Sequence, residues 1–474
     1  MHISWLAFFL LSISASAAAN LVKVLTYTPL GPDPQTKNRL NGESYQQDAL
    51  ISYNGYQYAA FWVPSSGNAS VRHATIARRP FDGEWESFTL TDHNQTEDDG
   101  HNTISIGISA GDGTIHMAFD QHDNPLNYRV SKPSVASKPG EAEFSRDIFG
   151  PTTNLLPGLD RIDKSIHFVN ITYPRFLQIP KSCDTEADLL LEMRVGRSGL
   201  GDDWIYHYTP GGNWTLVGKY LQGVQNNAYI NGLDFDHKGL LHATWTYRDY
   251  INDTGKDVAV QAGPNGPENN HDLNYAYSSD AGFTWHNNWG QKIADMKSDA
   301  PVLPVSAGIV VFGIPKYGGI LNQEAQTIDE KGRVHVLNRE NTTGTEQWYH
   351  YWRNPTMDWN RRTLPLSLAG ESVNNITKTP TVIGKRGKLV APPNSEMLLA
   401  LLPNNAANST GLSVLGSTEK DNFTDWKVMW EVKEGNRWEV LFDRYRLTVG
   451  DGILSLFVVN GTEIGVLDMD LGTL

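Results

Sequence analysis

Two histidines, His101 and His122, bracket a patterned stretch of the chain, EDDGHNTISIGISAGDGTIHMAFDQHDNPLNYRVS (97–131). Imidazole titrates near neutrality, so a pair brought together can accept and return protons with little tuning. The residues between them say how they would meet. Ile104, Ile106 and Ile108 alternate with small residues, and Ile115, Met117 and Phe119 follow across Gly111-Asp112-Gly113. This is the pattern of a β-hairpin, with the glycines supplying the positive-φ turn positions. His101 precedes the first strand and His122 follows the second, so antiparallel pairing sets both at one rim of a sheet. Each also has a purely structural reading. His101 can bond a loop carbonyl beside the turn Asp98-Asp99-Gly100, and His122 can belong to the turn Asp123-Asn124-Pro125.

The hairpin recurs. Gly113-Thr-Ile-His116, Gly239-Leu-Leu-His242 and Gly332-Arg-Val-His335 share a turn, a glycine, two residues, a histidine and an apolar strand. Leu126-Asn-Tyr128 and Leu273-Asn-Tyr275 follow the first two, and Trp348-Tyr-His350 stands in the comparable place after the third. His116, His242 and His335 occupy one repeat position and read as architectural. Short apolar segments punctuated by Gly, Asn, Asp and Pro dominate the chain, an all-β signature. Hairpin modules at wide spacing imply a closed β-propeller, of seven blades at this length, with six or eight as the alternatives. Residues 18–474 read as one propeller domain, and the strand-like tail from Leu441 is expected to complete the first blade. Ser278-Ser-Asp-Ala-Gly-Phe-Thr-Trp285 matches the Asp-box pattern, a turn between strands that speaks for fold rather than chemistry.

The first 17 residues read as a secretory signal peptide, with an apolar run from Trp5 to Ile13 and a small-residue cleavage site at Ala15-Ser16-Ala17. Ten glycosylation sequons, at Asn68, Asn94, Asn170, Asn213, Asn252, Asn341, Asn375, Asn408, Asn422 and Asn460, agree with a secreted protein. A single cysteine, Cys183, excludes an internal disulfide framework. The formal charge of −14 argues against nucleic acid or an anionic membrane as partner, though not against an anionic sugar held by local arginines. A monomer is expected.

Further motifs resemble a known group. They are His101…His116…His122, Thr172-Tyr-Pro-Arg-Phe176, Met193-Arg194, Trp245-Thr-Tyr-Arg248, Asn270-His-Asp-Leu-Asn-Tyr275 and Asn322-Gln-Glu324. Over about Gln46 to Arg362 the chain resembles the BNR-repeat group of secreted seven-bladed propellers. That group includes ulvan lyases and the L-rhamnose-α-1,4-D-glucuronate lyases, and the likeness to the latter is the nearer. The resemblance implies cleavage of an anionic polysaccharide, with His101, Tyr173 and Arg194 as catalytic residues. It places His122 and Arg248 at the substrate, with Arg175 and Arg197 competing for the arginine roles. Asn270 and His271, which precede a strand on the module carrying the Asp-box, are further candidate sugar contacts. Some relatives bind a structural zinc. With one cysteine and no tight His/Cys cluster, no metal is assigned here and no cofactor is required.

Elimination beside a uronic acid needs a neutralised carboxylate, a base for the C5 proton and an acid for the departing O4. Arginine, histidine and tyrosine supply these, and His101 and Tyr173 remain interchangeable as base and acid. Two other functions stay open: a glycoside hydrolase on the same fold, either sialidase or α-L-rhamnosidase, and a carbohydrate-binding propeller without catalysis.

Overall fold

In the computed structural model, residues 22–141, 143–197, 201–223, 227–248, 269–365, 385–403, 411–435 and 439–472 are described. The signal-peptide stretch and the sequons at Asn252, Asn375 and Asn408 lie outside them. The strands form seven sheets, the seven blades of a β-propeller. The inner strands, in chain order, are Leu50–Tyr53, Ile104–Ile108, Ile171–Gln178, Ala228–Phe235, Ala325–Ile328, Lys388–Val390 and Leu441–Phe442. Each blade then grows outward by antiparallel neighbours, which lets one face of every strand pack against the next blade.

The hairpin forms with the register Ile104↔Phe119 and Ile108↔Ile115. Of the turn glycines, Gly113 alone takes a positive φ, +69°. A side chain there would also lie 2.4 Å from Ser137 Oγ. The apolar residues of both strands are fully buried in one cluster with Trp62 of the preceding blade. Gly107, on the opposite face of the strand, has a different constraint. A Cβ there would approach Phe176 Cβ to 2.5 Å, so the glycine permits the second and third blades to close on one another.

His116, His242 and His335 are buried, and each Nδ1 meets a residue on the next strand outward: Tyr128 Oη at 2.6 Å, Tyr275 Oη at 2.8 Å and His350 Nε2 at 2.9 Å. The repeated Leu-Asn-Tyr and Trp-Tyr-His segments therefore supply the partners of the repeated histidines. At the Ser278–Trp285 turn, Ser278 Oγ accepts from the Gly282 N–H at 2.8 Å and Asp280 accepts from the Thr284 N–H at 2.7 Å. Trp285 lies fully buried beneath, stacked on Tyr220.

Ring closure differs from the sequence expectation. The tail does not complete the first blade. Leu441–Phe442, Ile453–Asn460 and Glu463–Asp470 make a blade of their own, and the N-terminal strand Lys23–Pro32 joins it as the outermost strand. Antiparallel pairing of the two chain ends closes the circle, because the last blade takes its outermost strand from the start of the chain.

Candidate active site

One irregularity in the second blade builds the site. After the hairpin the chain does not continue outward at once. His122–Asn124 crosses instead to pair with the inner strand of the third blade, where His122 lies opposite Thr172. On the other side Thr172 lies opposite Arg194. His122, Thr172 and Arg194 thus sit at one level across the third blade, and the hairpin register delivers His101 beside them.

The imidazoles of His101 and His122 stack with centroids 3.8 Å apart and planes 16° from parallel. Both are anchored by Asp99, whose two carboxylate oxygens each accept from one Nδ1 at 2.5 Å. A carboxylate only accepts, so both rings carry a proton on Nδ1, and a neutral His101 keeps its lone pair on Nε2. Burial opposes the charge on Asp99, but the two imidazole hydrogen bonds outweigh it and hold the carboxyl well below its usual range. Desolvation, together with the charges of His122 and Arg194, pulls His101 below the ordinary imidazole value against the opposing effect of Asp99. His101 is therefore a neutral, basic imidazole at neutral pH. Its side chain keeps about a third of its surface exposed (32 %), so the base is reachable.

Tyr45 also stacks on His101, at 5.4 Å and 17°. Tyr173 meets the edge of Tyr45 at 5.2 Å and lies 5.6 Å from His101. It occupies the left-handed region, φ +59°, at a bulge where pairing skips from Thr172 to Arg175. A bulky residue held there is strained, and the bulge turns its ring out of the ladder toward the histidines. Tyr229 continues the aromatic cluster at 6.3 Å from Tyr173. Burial pushes the Tyr173 hydroxyl well above its usual pKa, and the neighbouring arginines only partly offset this, so the phenol keeps its proton.

Three arginines surround these rings. Arg194 Cζ lies 5.0 Å from the Tyr173 centroid, Arg248 Cζ 4.4 Å from Tyr229 and Arg386 Cζ 5.6 Å from Tyr45. Arg194 is 1 % exposed and donates to Thr172 at 2.9 Å and Asp123 at 3.2 Å. It is a buried charge beneath the tyrosine. Arg248 is also committed, donating to Asn270, to the Tyr229 hydroxyl and to Asn322 at 2.9, 3.1 and 3.2 Å.

Five of the sequence-selected residues, His101, His122, Tyr173, Arg194 and Arg248, therefore meet at one end of the propeller axis. Arg175 does not join them, because it is spent on an ion pair with Glu192 at 2.7 Å inside the third blade. His271 lies on the fourth blade with Nδ1 2.9 Å from Asp272, and Arg197 is an exposed residue beyond the end of its strand. Tyr45, Asp99, Tyr229 and Arg386 belong to the site without having been selected. Asp99, read as part of a solvated turn, carried a signal in standing two residues before His101; the others carried none.

Asp99, His101 and His122 also form the one group of three or more His, Cys, Asp or Glu residues among the described residues whose ligand atoms lie within 4.8 Å of one another. Two ligands of a common zinc at about 2.0–2.2 Å stand roughly 3 Å or more apart. The 2.5 Å contacts here are hydrogen-bond distances, so this arrangement fits a proton-sharing trio better than a metal centre.

Fold and site together define a class: a seven-bladed propeller with an acid–base cluster of histidine and tyrosine, ringed by arginine, at one axial end. Residues 56–366 match the BNR repeat-containing family, and the chain belongs to it. It is 26 % identical over 345 residues to the long isoform of ulvan lyase from Alteromonas sp. (strain LOR), and 25 % over 338 residues to that from Pseudoalteromonas sp. (strain PLSV). Each match covers 62 % of this chain and 32 % of the relative, so the chain spans about a third of the length of these curated relatives. Among solved structures it resembles the polysaccharide lyase Uly1, with a TM-score of 0.65, 16 % identity and coverage of 95 % of this chain and all of the other (100 %). An ulvan lyase bound to -[GlcA(1-4)Rha3S]- gives a TM-score of 0.63 at 15 % identity, covering 94 % and 95 % of the two chains. These two likenesses are likenesses of fold.

Proposed function

We propose that this protein is a secreted polysaccharide lyase. It cleaves the bond to a glucuronate by β-elimination and releases L-rhamnose from rhamnosyl-α-1,4-glucuronate ends of the kind found on gum arabic and arabinogalactan. The observation that carries this reading is the stacked His101–His122 pair, anchored by one carboxylate and facing a protonated tyrosine amid three arginines.

His101 Nε2 takes the C5 proton of the uronate. The electron pair left at C5 becomes the new C4–C5 double bond as the C4–O4 bond breaks, and Tyr173 protonates the departing O4. Negative charge that builds on the carboxylate during proton removal is met by the field of Arg194 and Arg248, which is strong because both guanidiniums are buried. His122 shares the Asp99 carboxylate with His101 and positions the sugar on the outer face of the stack. The relatives named as ulvan lyases support eliminative chemistry.

Secretion is part of the proposal. It rests on the apolar N-terminal run and on the exposed asparagines of six described sequons, Asn68, Asn94, Asn213, Asn341, Asn422 and Asn460; Asn170 is half-buried. The test is incubation with gum arabic, ulvan and a sialoglycan, following the ultraviolet absorbance of unsaturated uronate and identifying the sugar released. Absorbance with gum arabic accompanied by free rhamnose is the expected result. Absorbance with ulvan alone would refute the substrate, and a released sugar without absorbance would refute elimination.

A further inference from the structure

The three arginines of the site are not equally committed. Arg194 lies beneath Tyr173 with 1 % of its side chain exposed. Arg248 gives Nε, Nη1 and Nη2 each to a protein oxygen. Arg386, just before the inner strand of the sixth blade, differs. Its Nε donates to the Asn322 carbonyl at 2.7 Å and its Nη1 to Glu439 at 2.9 Å. Nη2 has no partner among the described residues and keeps accessible surface. Tyr45, Asn322 and Glu439 lie against the rest of the guanidinium, so its open edge is turned to the axial well that Tyr45 shares with His101 and Tyr173.

The segment that holds Arg386 is Asn322-Gln323-Glu324, which leads into the inner strand of the fifth blade. Gln323 sits in the left-handed region, φ +58°, a conformation that surrounding contacts must maintain. On one side of it Asn322 bonds two arginines, the carbonyl accepting from Arg386 and Oδ1 accepting from Arg248 Nη2 at 3.2 Å. On the other side Glu324 Oε2 accepts from the Gly387 N–H at 3.1 Å, while its Oε1 pairs with Arg339 at 2.7 Å. The Arg386 N–H itself donates to Glu439 at 2.9 Å. Backbone and side chain are thus both fixed before any ligand arrives. Burial and the charge of Glu439 push the neighbouring Glu43 carboxyl well above its usual range, so this second acid does not cancel the guanidinium charge.

A fixed guanidinium with one open N–H edge is a contact for a carboxylate oxygen. We infer that Arg386 is the direct ligand of the uronate carboxylate, through Nη2, and that Asn322 and Glu324 are the positioning residues that aim it. This deepens the lyase reading and rests on its uronate substrate. Arg194 and Arg248 then act on the same carboxylate by their field, from behind the tyrosines.

Isothermal titration calorimetry tests this on the full chain carrying His101→Ala, so that substrate is not consumed. The probes are methyl rhamnosyl-α-1,4-glucuronate and the same disaccharide with its carboxylate reduced to a hydroxymethyl group. The glucuronate is expected to bind roughly ten- to hundredfold more tightly than the neutral probe. Adding Arg386→Lys or Asn322→Ala should remove most of that preference and leave affinity for the neutral probe unchanged, whereas a merely structural defect would weaken both. Arg386→Lys keeps a cation beside Glu439, and Asn322→Ala leaves Arg386 in place, so either one suffices if the other fails to fold. A preference that survives in the folded variants would overturn the inference, as would equal weakening of both probes or a parent that prefers neither. Absence of unsaturated product from the wild-type protein would refute elimination and leave the carboxylate contact standing, so the two failures are distinct.

Discussion

Asp99 makes one unit of two histidines. By accepting from both Nδ1 atoms it fixes tautomer and ring orientation together, and the stacked geometry disfavours charge on both rings at once. His101→Ala is expected to lower kcat by about 10²–10⁴-fold without unfolding the protein, checked by steady-state assay alongside circular dichroism. The base must be neutral, and the pKa of His101 lies below the ordinary imidazole value. The rate should therefore rise with pH, with the midpoint of the acid limb below about pH 6.5. Removing the carboxylate in Asp99→Asn takes away the group that raises this pKa, so the acid limb should move to still lower pH while kcat falls; a limb that stays put would contradict the role. Tyr173 keeps its proton, so no decline from its ionisation is expected up to about pH 10, and Tyr173→Phe should lose activity at every pH. The histidine pair was legible because both residues flank one local hairpin. Tyr45, Tyr229 and Arg386 were not, because each arrives from a different blade, on its inner strand or in the few residues before it, with no local pattern to mark it.

At the scale of elements, the recurring histidine is a tie between the second strand of a blade and the third. Burial holds His116 neutral down to about pH 3, whereas an unfolded imidazole titrates near 6.5. The sign follows: below pH 6.5 the unfolded chain binds a proton that the folded chain refuses, so wild-type stability falls on acidification. The stability advantage over His116→Asn should shrink by about 1.4 kcal/mol between pH 7.5 and 5.5, measured by urea unfolding at the two pH values. The hairpin itself hangs on Gly113, whose backbone sign and contact with Ser137 both exclude a side chain. Gly113→Ala should cost about 1–3 kcal/mol and reduce activity by disturbing the register that delivers His101 and His122. Strand alternation and repeat spacing made these hairpins readable. The crossing of His122–Asn124 into the next blade was not readable, because three polar residues beside a proline look like any turn. The positive φ of Tyr173 was hidden as well, since a residue before proline ordinarily reads as extended.

For the whole molecule, length and repeat pattern pointed to seven blades, but closure was misread. The strand Lys23–Pro32 has no buried face and pairs with residues more than 400 positions away, so neither alternation nor proximity announced it. Deleting it would open the ring between the first and last blades. The expected result is a fall in Tm on the order of 10 °C, with weaker cooperativity, read by calorimetry. Closure also matters for the site, because Tyr45 and Arg386 come from either side of the blade that this strand completes and meet across the axis. The measurement that bears most directly on the proposed chemistry uses a rhamnosyl-α-1,4-glucuronate oligosaccharide, with free rhamnose and ultraviolet absorbance followed in one time course. Elimination at His101 and Tyr173 predicts one unsaturated uronate for every rhamnose released, and neither product with His101→Ala. Rhamnose appearing without absorbance, or undiminished release by His101→Ala, would contradict it.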